Sequence, residues 1–260
     1  MSCQPLHRSR IRGITPVMLR LIGLMGALWL SDAFPSTASA VTIIGNRDTW
    51  IQSNSPGTNY QTSVNPSSQL RNANSVTRAS LYSFTLPALG AGNQISSVGF
   101  DVNVFGSGVL TWTADFALLA SNPDLTTITW NSALAGSFIT GTNGNNNPIL
   151  GVNATAAGES WVVNQNFADG DEVLFTSAGG LTSLLNGVAS QGSPVDVTLL
   201  VYTQGNGEAD IGLFYGMENG ESSEFQPRPR LHLELEPVPE PAGIALFLIG
   251  ALGMCLRRRG

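Results

Sequence analysis

Three carboxylates surround one glycine in Asp169-Gly170-Asp171-Glu172. Calcium prefers oxygen ligands, and a glycine permits the tight bend that turns alternate carboxylates toward one ion. The segment therefore offers Asp169, Asp171 and Glu172 as candidate ligands of a structural calcium ion, and we expect no other cofactor. The alternative is a solvated acidic turn, because the segment is too short for an EF-hand loop.

Aromatic residues beside amides are candidates for sugar binding. A flat ring stacks on the C–H face of a sugar, and amide groups bind its hydroxyls. Tyr60 is flanked by an asparagine and a glutamine, and Trp130 precedes Asn131. These three residues are the candidates, and the alternative for each ring is packing against the core.

Arg78 is a candidate for binding the carboxylate of a uronic acid, since a guanidinium forms paired hydrogen bonds with a carboxylate. The structural alternative is favoured. Arg78 enters a predicted strand, where a partly buried guanidinium needs a carboxylate partner such as Asp48 or Asp101.

The motifs of common enzyme classes are missing: the sequence contains no HExxH, no glycine-rich phosphate loop and no metal-spaced cysteines or histidines. Cys3 and Cys255 lie in the end segments, so residues 41–236 contain no thiol. His232, the only histidine in that span, alternates with leucines and is expected on the exposed face of a strand. We therefore expect a protein that is not an enzyme. A secreted polysaccharide lyase or glycosidase is the alternative, because 16 acids make some suitably spaced pair inevitable.

The charge of residues 41–236 excludes one class of partner. The span holds five arginines and 16 acidic residues, a formal charge of −11, and the chain has no lysine. Such a surface repels phosphate backbones, so nucleic acid is not an expected partner.

Period-two alternation of apolar residues dominates the same span. Residues 98–104, 110–118, 195–201 and 231–235 each carry an apolar side chain at every second position, which is typical of strands with one buried face. Polar turn clusters separate them. The pattern predicts an all-β fold, a jelly-roll-like antiparallel β-sandwich. Shorter strand candidates are residues 42–44, 50–51, 81–86, 128–130, 161–163, 173–175 and 211–215.

Two segments depart from this alternation. Leu181, Leu184, Leu185 and Val188 have helical spacing, so residues 180–190 are predicted to form one short helix at the edge of the sandwich. Residues 141–148 are too polar and flexible to bury and are predicted to be a surface loop.

The N-terminal segment has the three parts of a secretory signal peptide. Arg8, Arg10, Arg12 and Arg20 precede an apolar run over residues 21–30. The small residues Ala38 and Ala40 then mark a cleavage site after Ala40. We predict that the protein is exported by the general secretory route and that residues 1–40 are removed. The alternative is that this segment is a second membrane anchor.

The C-terminal segment is also tripartite. Pro239-Glu240-Pro241 leads into the apolar residues 242–256, which are followed by Arg257, Arg258 and Arg259. As a helix the apolar run spans about 22 Å, less than a hydrocarbon core of about 30 Å. The arginines hold the end on the cytoplasmic side. An ordinary anchor is the alternative to a transient sorting tail.

Val238-Pro239-Glu240-Pro241 with this tail and arginine cluster resembles the PEP-CTERM sorting signal of exported bacterial proteins. The resemblance implies recognition and cutting by an exosortase-type membrane protease, with only transient membrane contact through residues 237–260.

Residues 41–236 resemble the DNRLRE domain, a β-sandwich of bacterial and archaeal surface proteins. The resemblance implies association with extracellular polysaccharide and rests on short motifs in a fixed order: Asp48-Thr49-Trp50-Ile51, Gly57-Thr58-Asn59-Tyr60, residues 78–87, residues 95–98, residues 127–131 and Pro227-Arg228-Pro229-Arg230-Leu231.

Together these features predict a bacterial protein of the cell surface, outer envelope or extracellular matrix, with a signal peptide, one sandwich domain and a sorting tail. A self-associating structural or adhesive surface protein is the remaining alternative.

Overall fold

The structure is a computed structural model. It describes residues 39–61, 68–73, 76–90, 92–105, 108–189, 192–204, 211–214 and 228–238. Most of the predicted signal peptide, including Ala38, and the sorting signal from Pro239 onward, with Arg257–Arg259, lie outside these residues.

Strands make up most of the described chain. They are β1 (Ser39–Ile44), β2 (Arg47–Gln52), β3 (Ser68–Ala73), β4 (Val76–Leu86), β5 (Asn93–Asn103), β6 (Gly108–Leu119), β7 (Ile139–Thr142), β8 (Pro148–Leu150), β9 (Ala154–Phe167), β10 (Glu172–Ser177), β11 (Val195–Tyr202), β12 (Ile211–Phe214) and β13 (Arg230–Pro237). Two helices accompany them, α1 (Trp130–Ala135) and α2 (Gly180–Val188).

The strands form two main sheets and a hairpin. The four-stranded sheet has the order β1-β13-β5-β10. The seven-stranded sheet has the order β12-β3-β4-β11-β6-β9, with β2 also paired to β4, and β7 pairs with β8. Every pair is antiparallel. The predicted antiparallel β-sandwich is confirmed.

The main core lies between the two large sheets, where the predicted inward positions meet. The ring of Phe100 is central, with centroids 5.1 to 6.2 Å from those of Tyr82, Phe84, Phe116 and Phe175. Most of these ring pairs meet edge to face, the arrangement that aromatic quadrupoles favour. The main core therefore contains inward side chains that strand alternation predicted, with aromatic rings packed against one another at its centre.

A second apolar cluster covers the other face of the seven-stranded sheet. In β6, Ala117 and Leu119 belong to it, while Phe116 and Leu118 belong to the main core. The long connection from β6 to β9 supplies the rest of the cover, including Ile128. Because both faces of β6 are buried at these four residues, apolar side chains occur on both faces of the strand there instead of alternating with polar ones.

The predicted strand at residues 128–130 is wrong. Trp130 instead begins α1, because Thr129 caps that helix: its hydroxyl accepts a hydrogen bond from the backbone N–H of Ser132. The predicted loop at residues 141–148 is partly strand, since its ends belong to the β7–β8 hairpin.

The predicted helix near residue 180 is confirmed as α2. Leu181 and Leu185 are fully buried against the main core. The carboxylate of Glu159 accepts a hydrogen bond from the Gly180 N–H at 2.7 Å and so binds the start of the helix. A Cβ on Gly180 would lie 1.6 Å from the carbonyl oxygen of Ala157, so only glycine allows α2 to approach β9 this closely.

The described strands at the two ends of the sandwich reach residues 39 and 237. Pro237 is the last residue of β13, and the Val238 N–H donates to the Gly92 carbonyl at 2.6 Å. Within the described ranges, no helix is long and apolar enough to cross a membrane.

Candidate functional site

Two predicted sugar-binding residues, Tyr60 and Arg78, lie where β2 ends and β4 begins. Trp50 and Gln52 lie two residues apart in β2, and Arg78 of β4 is the register partner of Gln52. Side chains two apart on a strand share a face, so the three side chains are neighbours. We call Trp50, Gln52, Tyr60 and Arg78 the aromatic platform.

Stacking and hydrogen bonds hold the platform together. The rings of Tyr60 and Trp50 stack with centroids 3.6 Å apart and an interplanar angle of 14°. The Arg78 guanidinium carbon lies 5.0 Å from the Trp50 ring centroid, within cation–π range. Gln52 links the two sides, donating to the Tyr60 hydroxyl and accepting from Arg78 Nε at 3.0 Å.

The side chain of Asn59 fixes the loop that carries Tyr60. Its amide nitrogen donates to the carbonyls of Leu125 and Ile128, at 3.1 and 2.6 Å. The backbone N–H of Asn131 donates to Pro56 on the same loop at 2.9 Å. The segment that leads into Tyr60 is thus held at Pro56 and at Asn59.

Exposure differs within the platform, since Trp50 and Gln52 are buried. Tyr60 and Arg78 are half-buried, and Asn131 is exposed. Trp50 is 4 % exposed beneath Tyr60, and its indole nitrogen has no hydrogen-bond partner among the described residues. Trp130, also 4 % exposed, packs in the second cluster, which agrees with the alternative of core packing, and sugar binding by Trp130 stays a prediction.

A polar cluster lies on the outer face of the four-stranded sheet. At its centre is Asp101 of β5, which is 0 % exposed. Arg230 of β13 places Nε 3.0 Å from each of its oxygens and Nη2 3.0 Å from Oδ2. The partner of Asp101 is therefore Arg230, rather than Arg78 as the sequence suggested.

Two further residues extend this cluster. His232 Nε2 lies 2.5 Å from Asp101 Oδ2, and His232 Nδ1 lies 3.0 Å from the hydroxyl of Thr42. Glu172 contacts Arg230 Nη2 at 3.2 Å. The hydrogen bonds that Arg230 donates to Asp101, with the charges of Asp101 and Glu172, outweigh burial and raise the pKa of Arg230.

The packing around Asp101 explains how an outer-face carboxylate is excluded from water. Gly99 lies two residues away on the same strand face, and a Cβ there would lie 3.2 Å from Leu174 and 3.3 Å from His232. The missing side chain lets these neighbours close over the carboxylate. His232 was correctly placed on the face opposite the leucines, but its two polar contacts were not predicted.

The acidic turn connects β9 and β10. Gly170 has φ +87°, and Asp171 Oδ2 accepts from the Ala168 N–H at 2.7 Å. Glu172 faces Arg230. No three His, Cys, Asp or Glu side chains of the described residues are grouped to hold a metal. Calcium binding by Asp169, Asp171 and Glu172 stays a prediction.

Asp115, another buried carboxylate, was missed because it occupies the outer phase of β6. Asp115 is 6 % exposed; its Oδ1 accepts from the Ser160 hydroxyl, and its Oδ2 has no partner among the described residues. Burial raises its pKa, against the hydrogen bonds from Ser160 and the Gln204 backbone. Burial and the charge of Asp115 together raise the pKa of Tyr202 to about 12.

The predicted signal cleavage site lies within a strand. Ser39 and Ala40 are the first residues of β1, where they pair with Leu235 and Glu234 of β13. The start of β1 and the end of β13 therefore lie side by side.

The chain matches no protein-family model and no curated protein.

Proposed function

We propose that this chain is an exported, non-catalytic protein that binds extracellular polysaccharide at the bacterial cell surface or in the surrounding matrix. The observation that carries the proposal is the Trp50–Tyr60 stack, which holds a half-exposed ring in a fixed orientation beside an amide and a guanidinium. Pre-organised aromatic faces bind ligands at low entropic cost. The resemblance to the DNRLRE domain points to the same class of ligand.

Binding would combine stacking on Tyr60 with polar contacts at its rim. Arg78 supplies a positive charge for a uronate carboxylate, and Asn131 supplies an exposed amide near the loop. One ring contributes about 0.5–1.5 kcal/mol, so a single site is weak. Many domains along one polymer would raise the overall affinity.

We further propose that the C-terminal signal decides where the domain ends up. β13 ends at Pro237, and Val238, the first residue of the proposed sorting motif, is hydrogen-bonded to the domain, so the motif begins at the edge of the fold. An exosortase-type protease acting at Pro239-Glu240-Pro241 would therefore work close to the folded surface. The apolar tail would contact the membrane only until that cut.

The sugar-binding proposal is tested by Tyr60→Leu, which removes the flat ring while keeping an apolar cover over Trp50. We expect affinity for the bound polymer, identified on an array that includes the host's own polysaccharide, to fall about twofold to tenfold. Tyr60→Phe is the matched control and should keep affinity within about twofold, because the ring remains. Equal binding by all three proteins, or no binding to any polymer by the unaltered chain, contradicts the proposal.

Mass spectrometry of the protein recovered from its host tests the sorting proposal. We expect a new N-terminus at Val41 and loss of the apolar tail. Replacing Glu240 by alanine is expected to increase the fraction that keeps the tail. Recovery of the intact 260-residue chain outside the membrane fraction contradicts the proposal.

A polysaccharide lyase or glycosidase is the second candidate, favoured by the polar cluster. Thr42, His232 and Asp101 align a hydroxyl, an imidazole and a carboxylate within hydrogen-bond distance, an order used in general-base catalysis. Purified protein that shortens a polymer, and loses this activity on His232→Gln, would favour the enzyme. Unchanged polymer length under the same conditions favours the binding protein.

A further inference from the structure

The edge of the seven-stranded sheet at β9 has an unusual composition. β9 is 14 residues long and pairs with β6, and no described strand lies on its other side. In an antiparallel sheet, alternate backbone N–H and C=O groups of an edge strand point away from its neighbour. Such an edge can add another strand.

The features that usually protect an edge strand are confined to one end of β9. The register with β6 shifts between Asp115 and Ala117, opposite Gly158 at φ +73°. Glu159, the only charged residue of β9, turns its carboxylate to the N–H of Gly180. Residues 160–167 contain no charge and no proline, although residues 41–236 carry a formal charge of −11.

Apolar side chains flank this neutral edge on both faces of the sheet. Val162 is 74 % exposed on the outer face. Trp161 and Val163 are half-buried and pack against the main core from its open side. A strand added to this edge would cover all three side chains as well as pairing backbone groups.

We propose that residues 160–164 of β9 pair in antiparallel orientation with the same residues of a second copy of this chain. The occupant is a second copy because the segment is complementary to itself. A twofold axis at Val162 sets Val162 opposite its counterpart and Trp161 opposite the counterpart of Val163. Two neutral edges can approach in this way without the repulsion that the acidic surface would otherwise produce. A strand pair of five residues from each copy buries less area than a permanent dimer needs, so the association is weak and depends on concentration.

This self-association goes beyond the proposed sugar binding and does not depend on it. A dimer doubles the sugar-binding sites on one particle, and multivalency would strengthen binding to a polymer. Loss of the dimer would leave the affinity of a single Tyr60 site unchanged.

Cysteine cross-linking of the full chain in a mild detergent tests the pairing. In a chain with Cys3→Ser and Cys255→Ser, we expect Val162→Cys to form an oxidised dimer at least about tenfold faster than Val152→Cys. Val152 is 92 % exposed in the turn before β9 and is the matched control. Equal rates for the two variants overturn the proposal.

A charge variant gives an independent measurement. Val162→Lys places like charges opposite each other and is expected to weaken dimerisation at least about tenfold in sedimentation experiments, while Val152→Lys leaves it unchanged. Circular dichroism confirms that each variant is folded. A monomer at all concentrations, or a monomer in which the amides of residues 160–163 are strongly protected from exchange, overturns the proposal.

Discussion

Replacing Arg230 by methionine removes the guanidinium from Asp101 while keeping a long apolar side chain. Asp101 is 0 % exposed, and three nitrogen–oxygen contacts of 3.0 Å join it to Arg230. In the variant the Asp101 carboxylate stays buried, and His232 is the titratable side chain among the described residues that still contacts it. Leaving a buried charge without its partner costs about 3–5 kcal/mol. We expect the free energy of unfolding to fall by that amount.

The same cluster supplies a control. Glu172 also contacts Arg230, but at 3.2 Å and with half of its side chain exposed. Exposed ion pairs contribute about 0–1 kcal/mol, so Glu172→Gln is expected to change stability by less than about 1 kcal/mol. Asp101→Asn combined with Arg230→Met removes the stranded charge and should recover part of the loss.

Urea unfolding followed by tryptophan fluorescence and by circular dichroism measures these differences. Coincident transitions establish that a single free energy describes each protein. If Arg230→Met and Glu172→Gln shift stability equally, or if the double variant is no more stable than Arg230→Met, Asp101 is not held as a buried carboxylate.

Three further predictions concern other parts of the sandwich. Gly180→Ala is expected to lower the free energy of unfolding by more than about 2 kcal/mol, since the new Cβ meets a backbone carbonyl. Gly187→Ala in the same helix has open space around the new Cβ and should raise the free energy of unfolding by about 0.5–1 kcal/mol. Thermal unfolding of the two variants measures the difference. Burial alone would raise the pKa of Glu159, but the hydrogen bonds that its carboxylate accepts outweigh burial and lower this pKa. The ionised Glu159 therefore stabilises the fold above about pH 4.3, and this stabilisation is lost as the pH falls through the lowered pKa of the folded state. Glu159→Gln should remove that component from the acid-unfolding profile, and an identical profile would contradict the prediction. Asp115→Asn is expected to lower the pKa of Tyr202 from about 12 without restoring its usual value, because burial remains; difference titration by ultraviolet absorbance tests this.

Local pattern was enough to predict most of the main core. The alternation around Phe100 and Phe116 identifies their faces, because strand side chains alternate regardless of what packs on them. The leucine spacing of α2 is equally local. The second cluster was missed because Ala117 and Leu119 occupy the phase that alternation assigns to solvent, and their cover comes from a connection distant in sequence.

Site contacts depended on information that no short segment contains. Asp101 and Arg230 meet because β5 and β13 are neighbours in register, 129 residues apart along the chain. The Tyr60–Trp50 stack depends on the fold of the intervening loop. Trp50 and Gln52 share the spacing that places them on one face, which is the signal that could have added them to the predicted site.

The adjacency of Ser39 and Leu235 has a consequence for the order of events in biogenesis. Both ends of the sandwich leave the same corner, on neighbouring antiparallel strands, so neither has to be threaded through or around the folded body. A polypeptide tethered at both ends to one bilayer can therefore still close this sheet. If both ends are cut as proposed, neither cut has to precede folding, and the two cuts can occur in either order on the folded domain.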